Sequence, residues 1–346
     1  MRRLMLALLA IGLAIGAGFS GEGKKWRIAL SNDYAGNSWR QIMISDWNRA
    51  AAAAIKEGLV SEAPVFTTNE SSASEQAAQL QSLILEGYDA IVLDAASPTA
   101  LNSVVQEALE AGVVVVSFDN AITLPAAWRL ITQFEYMGYL QVEYLARHYP
   151  RGGNLLEVRG IPGTYVDSAV HRGIVEPLAK YPQFKIVAEV YGHWTNTIAQ
   201  KEVAGILPSL PELAGIVNQG GDGYGIVKAY EAAGRQVPPL FMGNRYDELL
   251  LWKEMYERTG FDTISIAIAP GSATLAFWVA VEILAGTEVP KEIQLLPYVI
   301  DTHAKLEKAL ETTPRGGVAS IVYPHDWVKK LIANIKAGLP PPPDPE

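Results

Sequence analysis

The apolar positions of this chain follow two alternating rhythms. Short continuous runs at Trp26–Leu30 (WRIAL), Pro64–Thr68, Tyr88–Asp94 (YDAIVLD) and Val113–Phe118 read as strands. The four successive valines from Val113 to Val116 mark a strand buried on both faces, as in the middle of a parallel sheet. Between these runs lie stretches at helical spacing: Asn37–Lys56, with Asn37 as N-cap, then Ser74–Glu86 and Pro98–Ala111. The rhythm restarts after Asn120. Strands are expected at Trp128–Ile131, Asn154–Val158, Phe184–Tyr191, Ala214–Asn218, Leu240–Met242 and Thr263–Ala267. Helices are expected at Glu135–His148, Val166–Tyr181, Thr195–Leu207, Tyr224–Ala233 and Glu248–Arg258. A helix at Ser272–Leu284, a strand at Leu295–Ile300 and helices at His303–Leu310 and His325–Lys336 follow. Strands separated by helical stretches of this length spell βαβ units, so the fold class is α/β, with two doubly wound parallel-sheet lobes in succession. Pro340–Glu346 (PPPPDPE) reads as a disordered, proline-rich tail.

The first twenty residues do not fit this rhythm. Arg2 and Arg3 precede a short apolar run, Leu4–Ala14, and Gly16, Ala17, Gly18 and Ser20 supply small residues for cleavage. Residues 1–20 are therefore expected to be a signal peptide, cleaved after Gly18 or Ser20, with a retained anchor as the alternative. The mature protein is expected to be periplasmic or otherwise exported.

Composition narrows the partners. At 346 residues, 49% hydrophobic and 19% charged, the chain can bury two full cores. A net charge of −9 with no basic cluster past the N-terminus argues against nucleic acid. The absence of cysteine excludes disulfides, thiolate metal sites and a cysteine nucleophile.

Candidate chemistry begins where the valine strand ends, at Asp119 and Asn120. A carboxylate and an amide at the carboxyl edge of a buried strand sit where open α/β sheets bind ligands, although the same pair can cap a turn. There is no HExxH, no GxSxG and no Walker A motif, and Gly220–Gly225 lacks dinucleotide spacing. The five histidines show no metal-ligand spacing. No cofactor, no metal and no catalytic residue is expected.

Taken in order, several segments resemble the periplasmic sugar-binding proteins of ATP-driven importers, the ribose-binding type (type I solute-binding proteins). They are the leader, the polar loop with Asn37 and Trp39, Asp119–Asn120, Glu157–Thr164 (EVRGIPGT) and His171–Gly173 (HRG). Pro182–Tyr191 with Trp194 and Asn218–Gly225 (NQGGDGYG) complete the set, which covers residues 26 to 325. The resemblance implies two lobes joined by a three-strand hinge, with crossings near Asp119–Gln133, Ala269–Gly271 and Pro297–Asp301. It divides the chain into an N-terminal lobe (25–121 plus 271–297) and a C-terminal lobe (122–270 plus 298–337), followed by the tail 338–346. It implies a sugar held in the interlobe cleft, with Trp39 and Trp194 sandwiching its apolar face. Asp119 accepts hydroxyl hydrogens and Arg172 donates to ligand oxygens, with Asn37, Asn120, Gln219 and Asp222 as further polar contacts. Tyr34, Arg40, Asn244 and Arg245 complete the expected set. Two departures argue against ribose itself. Apolar Ile268 and Ala269 replace a polar residue, and Arg40 and Arg245 stand where ribose-binding relatives carry an aromatic and an acid. Another sugar, a sugar alcohol or an anionic sugar derivative suits the two cations.

The expected function is an exported receptor that binds a monosaccharide or polyol and delivers it, as a monomer, to the permease of an ABC importer. The alternative is a receptor of the same fold for an amino acid, a nucleoside or a signalling furanose, or one serving a membrane sensor. An exported glycoside-acting enzyme ranks below both, since it needs two carboxylates at a set separation across a cleft.

Overall fold

The structure, a computed structural model, describes residues 24–345. The signal peptide expected at residues 1–20 lies outside the described residues. The elements run β1 (Trp26–Asn32), α1 (Ser38–Lys56), β2 (Val60–Glu62), β3 (Val65–Thr67), α2 (Ala73–Leu85), β4 (Ala90–Asp94), α3 (Asn102–Glu110), β5 (Val114–Ser117) and β6 (Trp128–Thr132). Next come α4 (Phe134–His148), β7 (Gly153–Arg159), α5 (Tyr165–Leu178), β8 (Phe184–Tyr191), α6 (Asn196–Ile206), β9 (Leu213–Asn218), α7 (Gly223–Ala232), α8 (Tyr246–Thr259) and β10 (Ser265–Ala267). The chain closes with α9 (Ser272–Leu284), β11 (Glu292–Leu295), β12 (Tyr298–Ile300), α10 (His303–Thr312) and α11 (His325–Lys336).

Two parallel sheets result. The first has the order β11-β6-β5-β4-β1-β2, with β3 also pairing β1. Its central strand β4 is buried along its whole length, and Val115 and Val116 of β5 are buried on opposite faces, as the unbroken apolar runs require. One face carries α1, α9 and α11, the other α2 and α3. The second sheet has the order β8-β7-β9. It continues through the bridges Ile216↔Leu240 and Met242↔Ser265 to β10, which pairs antiparallel with β12. The expected strand Leu240–Met242 is thus reduced to two bridges.

The structure differs from the sequence reading in three places. First, β6 belongs to the first lobe, not the second: it pairs with β5 (Val116↔Trp128) and with β11 (Arg129↔Glu292). The first crossing therefore comes at Gln133. Second, the expected strand Leu295–Ile300 is two strands in different sheets. Pro297 lacks the N–H that a continuing ladder needs, and the chain changes lobe at Leu296–Pro297. Third, α11 returns to the first lobe, where Val328, Leu331 and Ile332 pack into the core that holds α1 and α9. The proline tail, expected to be disordered, is largely exposed and folds back on α11 through two hydrogen bonds. Pro340 O accepts from Asn334 Nδ2 at 2.8 Å and Pro343 O from Trp327 Nε1 at 2.7 Å. Among the described residues no helix is long and apolar enough to cross a membrane.

Candidate functional site

The first lobe's contribution starts at the entry to α1. The Asn37 side chain caps the helix, accepting from Arg40 N at 2.9 Å, which fixes Trp39 and Arg40 in the first turn. Strands β5, β4 and β1 lie side by side, so their carboxyl ends bring Asp119, Asp94 and Asp33 into one row. The Arg40 guanidinium plugs into that row. It meets Asp33 at 3.2 Å, Asp119 at 2.8 Å and Asp94 at hydrogen-bond range. All four side chains are at least nine-tenths buried. Asp119 adopts a left-handed backbone (φ 53°), a strain that non-glycine residues carry mainly at functional positions. One of its oxygens, Oδ2, serves Arg40; the other, Oδ1, is buried with no partner.

The second lobe builds its wall from a relay of hydrogen bonds. Arg159, at the end of β7, pairs with Asp167 at 2.8 Å. Asp167 Oδ1 accepts from Gln219 Nε2 at 2.9 Å, and Gln219 Oε1 accepts from Trp194 Nε1 at 3.1 Å. His193 and Trp194 are both left-handed (φ 55° and 51°), which turns the indole back over Gly160. A Cβ at Gly160 would stand 2.3 Å from that ring, so only glycine fits beneath it. Arg245 donates to the carbonyls of Gly221 and, at 2.7 Å, Trp194. Asn244 Nδ2 donates to Ile268 O (3.0 Å) and Ala319 O (2.7 Å), and Trp39 Nε1 reaches the same Ile268 carbonyl from the other lobe at 2.8 Å.

The two walls flank a half-open pocket of about 70 Å³. Of the twelve expected site residues, Asn37, Trp39, Arg40, Asp119, Trp194, Gln219, Asn244 and Arg245 line it. Four do not. Arg172 projects from the outer face of α5 and pairs with Glu135 at 2.6 Å, about half exposed. Its neighbour Gly173 explains this: a Cβ there would stand 2.0 Å from Glu135 O, so the glycine is the contact at which α5 presses on α4. Asp222 is fully buried beside the pocket, with both oxygens unpartnered. Asn120 is buried with both amide atoms unpartnered, and Tyr34 folds back over Gly36. Val166, Gly220, Gly221 and Ala267 join the lining without having been singled out in the sequence, as does Ile268, noted there only as an apolar departure. Their part is backbone and apolar surface, which leaves no chemical signature.

Burial dominates the electrostatics. It pushes the Asp119 carboxyl up from 3.8 to about 6 against the pull of Arg40, and raises Asp33 for the same reason. In the second lobe Glu248, which accepts from Gly243 N at 2.6 Å, is pushed up to about 7, and Asp222 well above its ordinary value. Each of these groups holds its proton more tightly folded than unfolded. The stability they confer is complete below about pH 4 and is lost as pH rises through their folded values. We therefore expect the melting temperature to fall between pH 5.5 and pH 8, by several degrees. Differential scanning calorimetry across that range checks it; a melting point that rises toward pH 8 contradicts the assignment.

Outside the pocket, folding brings Glu157, His171 and Glu189 together, with ligand atoms within 4.8 Å of one another. Glu157 is already engaged by His171 at 2.9 Å and Glu189 by Arg159 at 3.3 Å.

Comparison with known proteins agrees with this geometry. The periplasmic binding protein domain model matches residues 28–288. An ABC transporter solute binding protein of Thermobispora bispora superposes with a TM-score of 0.87 at 32% identity, covering 93% of this chain and 99% of that one. A xylitol-binding protein of Mycolicibacterium smegmatis is 27% identical over 51% of this chain, and the match spans about half of that relative's length. A D-ribose/D-allose-binding protein of Pseudomonas aeruginosa is 26% identical over 63% of this chain and 70% of the relative.

Proposed function

This chain belongs to the periplasmic binding protein domain family, and from that premise we propose that it is an exported receptor for a neutral monosaccharide or sugar alcohol. It holds the ligand between its lobes and delivers it to the permease of an ATP-driven importer. One observation carries the reading: Asp119, which lines the interlobe pocket with two tryptophans, keeps a buried acceptor oxygen, Oδ1, with no partner. A carboxylate oxygen of this kind takes hydroxyl hydrogens, and the indole faces take the C–H surface of a polyol. The names of the relatives matched, xylitol- and ribose/allose-binding proteins, support the same ligand class.

The anionic sugar derivative expected from the sequence loses its basis. Arg40 is neutralised by three carboxylates and Arg245 is spent on two backbone carbonyls, with Glu248 behind it. Neither is a free cation awaiting an acid. Among the described residues that line the pocket, a zwitterionic amino acid finds no unpaired guanidinium for its carboxylate either.

The test is a thermal-shift screen against pentoses, pentitols, hexoses, sugar acids and amino acids. A ligand at a hundred times its Kd adds about 2.7 kcal/mol of stability. Neutral sugars or sugar alcohols should raise the melting point and sugar acids should not. A response confined to sugar acids or amino acids would falsify this reading while leaving the fold intact.

A further inference from the structure

The second feature built across the hinge lies behind it. A groove of about 580 Å³ is walled by Trp327 and Leu331 of α11 in the first lobe and by Tyr298 and Lys305 in the second. Ile268 of the hinge lines this groove and also the ligand pocket, so the two cavities stand back to back on one hinge segment. Pro341–Asp344 line one side of this groove, with Pro342 half-buried and Pro341, Pro343 and Asp344 exposed. The segment is anchored at its start, where α11 ends in left-handed Gly338 and Leu339 N donates to Asn334 O at 2.8 Å. It then gives Pro340 O to Asn334 and Pro343 O to Trp327 Nε1. Trp327 in turn packs against Tyr323, with ring centroids 4.7 Å apart. On the far wall, Asp344 acts electrostatically on Tyr298 and feels Lys305.

Sequence explains why this segment can sit there. Proline fixes its own φ and excludes helix from the residue before it, so Leu339 through Pro342, and Asp344, are held extended. Such a segment is a preformed polyproline II rod with little conformational entropy left to lose on docking. Aromatic rings, with an indole N–H donating to a proline carbonyl, are the surface that recognises such rods.

We propose that Pro340–Asp344 is an intramolecular hinge strap: seated on walls supplied by both lobes, it favours the near-closed cleft and so raises affinity for the ligand. Lobe rotation changes the spacing of the groove walls while the rod stays rigid. Its contacts are therefore complete in one hinge state and incomplete in others, which is the differential interaction that a population shift needs. The effect on affinity rests on the receptor reading above; the effect on lobe spacing does not.

The chain has no cysteine, so a spin-label pair at Glu107→Cys on α3 and Lys201→Cys on α6, both exposed and one in each lobe, is unique. Two changes are compared with wild type in the full-length chain without ligand. One exchanges Pro341, Pro342 and Pro343 for glycine; the other is Trp327→Phe, which keeps a ring and removes the N–H donor. Double electron–electron resonance should show the interlobe distance distribution moving to longer values in both, further for the glycine exchange. Distributions that superimpose on wild type overturn the strap. Isothermal titration with xylitol as probe should then show a Kd weakened roughly three- to tenfold by the glycine exchange. An unchanged xylitol Kd overturns the effect on affinity. If wild type itself gives no heat with xylitol, the probe fails and the distances still decide on the strap.

Discussion

Asp119→Asn is expected to lose most ligand affinity and at the same time to melt higher than wild type. Asparagine tolerates the left-handed backbone at this position (φ 53°), so the exchange changes charge without adding strain. The ligand loses an ionised acceptor at a site where charge-assisted hydrogen bonds contribute about 1.5–3 kcal/mol each, a weakening of roughly ten- to a hundredfold or more. The folded protein loses a carboxylate whose ionisation burial opposes. A carboxyl raised from 3.8 to about 6 is destabilising at pH 7 by about 3 kcal/mol relative to its neutral form, and the asparagine amide stands in for that form. Arg40 keeps Asp33 and Asp94. Calorimetry of the free protein and titration with the best polyol of the screen test the two halves separately. A variant that melts lower and binds as well as wild type would make Asp119 a structural residue. The same logic predicts a pH profile. Because the ionised carboxylate accepts the ligand's hydroxyls, affinity should fall about tenfold per unit below pH 6, with Asp119→Asn insensitive over that range.

That expected trade at Asp119, stability given up for a proposed ligand contact, bears on which parts of the site could be read from sequence. Asp119 was legible because a valine run too apolar for any place but a central strand ends in it. Asn37, Trp39 and Arg40 were legible because an N-cap fixes the register of the next turn. Asp33 and Asp94 were not, although they hold Arg40. Their role depends on β1 and β4 lying beside β5, and strand order is a long-range outcome that no local window carries. Arg172 was misplaced for the opposite reason. Its motif was read for a donor, whereas Gly173 decides the packing: the glycine must face α4, and the arginine one residue away must then face solvent. Asp222 and Asn120 are buried outside the pocket lining, with their side-chain polar atoms unpartnered. The sequence shows polar residues after strands, but which way each side chain turns is set by backbone angles at the sheet edge. The fold class and most of the strands were readable; Leu240–Met242 and Leu295–Ile300 were not read as they are. The lobe boundaries slipped where the determinant was tertiary: β6 completes the first sheet, and α11 crosses back to cover α9.

Arg40 gives the largest expected effect on stability. Arg40→Met keeps the length and apolar stem of the side chain and removes the guanidinium that three carboxylates share. An isolated buried ion pair is weak evidence of net stabilisation, because desolvation offsets attraction. Breaking one is different: here the uncompensated charges sit at three adjacent strand ends and are at least nine-tenths buried. Loss of one partner from a buried pair costs about 3–5 kcal/mol, a large part of the stability of an ordinary domain. The first lobe is therefore expected to unfold many degrees below wild type at pH 7.5. The sign of the pH response separates this cause from simple loss of packing. Without Arg40, burial and the neighbouring carboxylates hold the Asp33 and Asp119 protons more tightly in the folded state, so the variant regains stability as pH falls toward 5. A cavity defect would leave the deficit constant with pH. The double variant Arg40→Met with Asp119→Asn should then be more stable at pH 7.5 than Arg40→Met alone, since one of the orphaned charges is gone. If the double variant is the less stable of the two, the carboxylate row is not what Arg40 holds together.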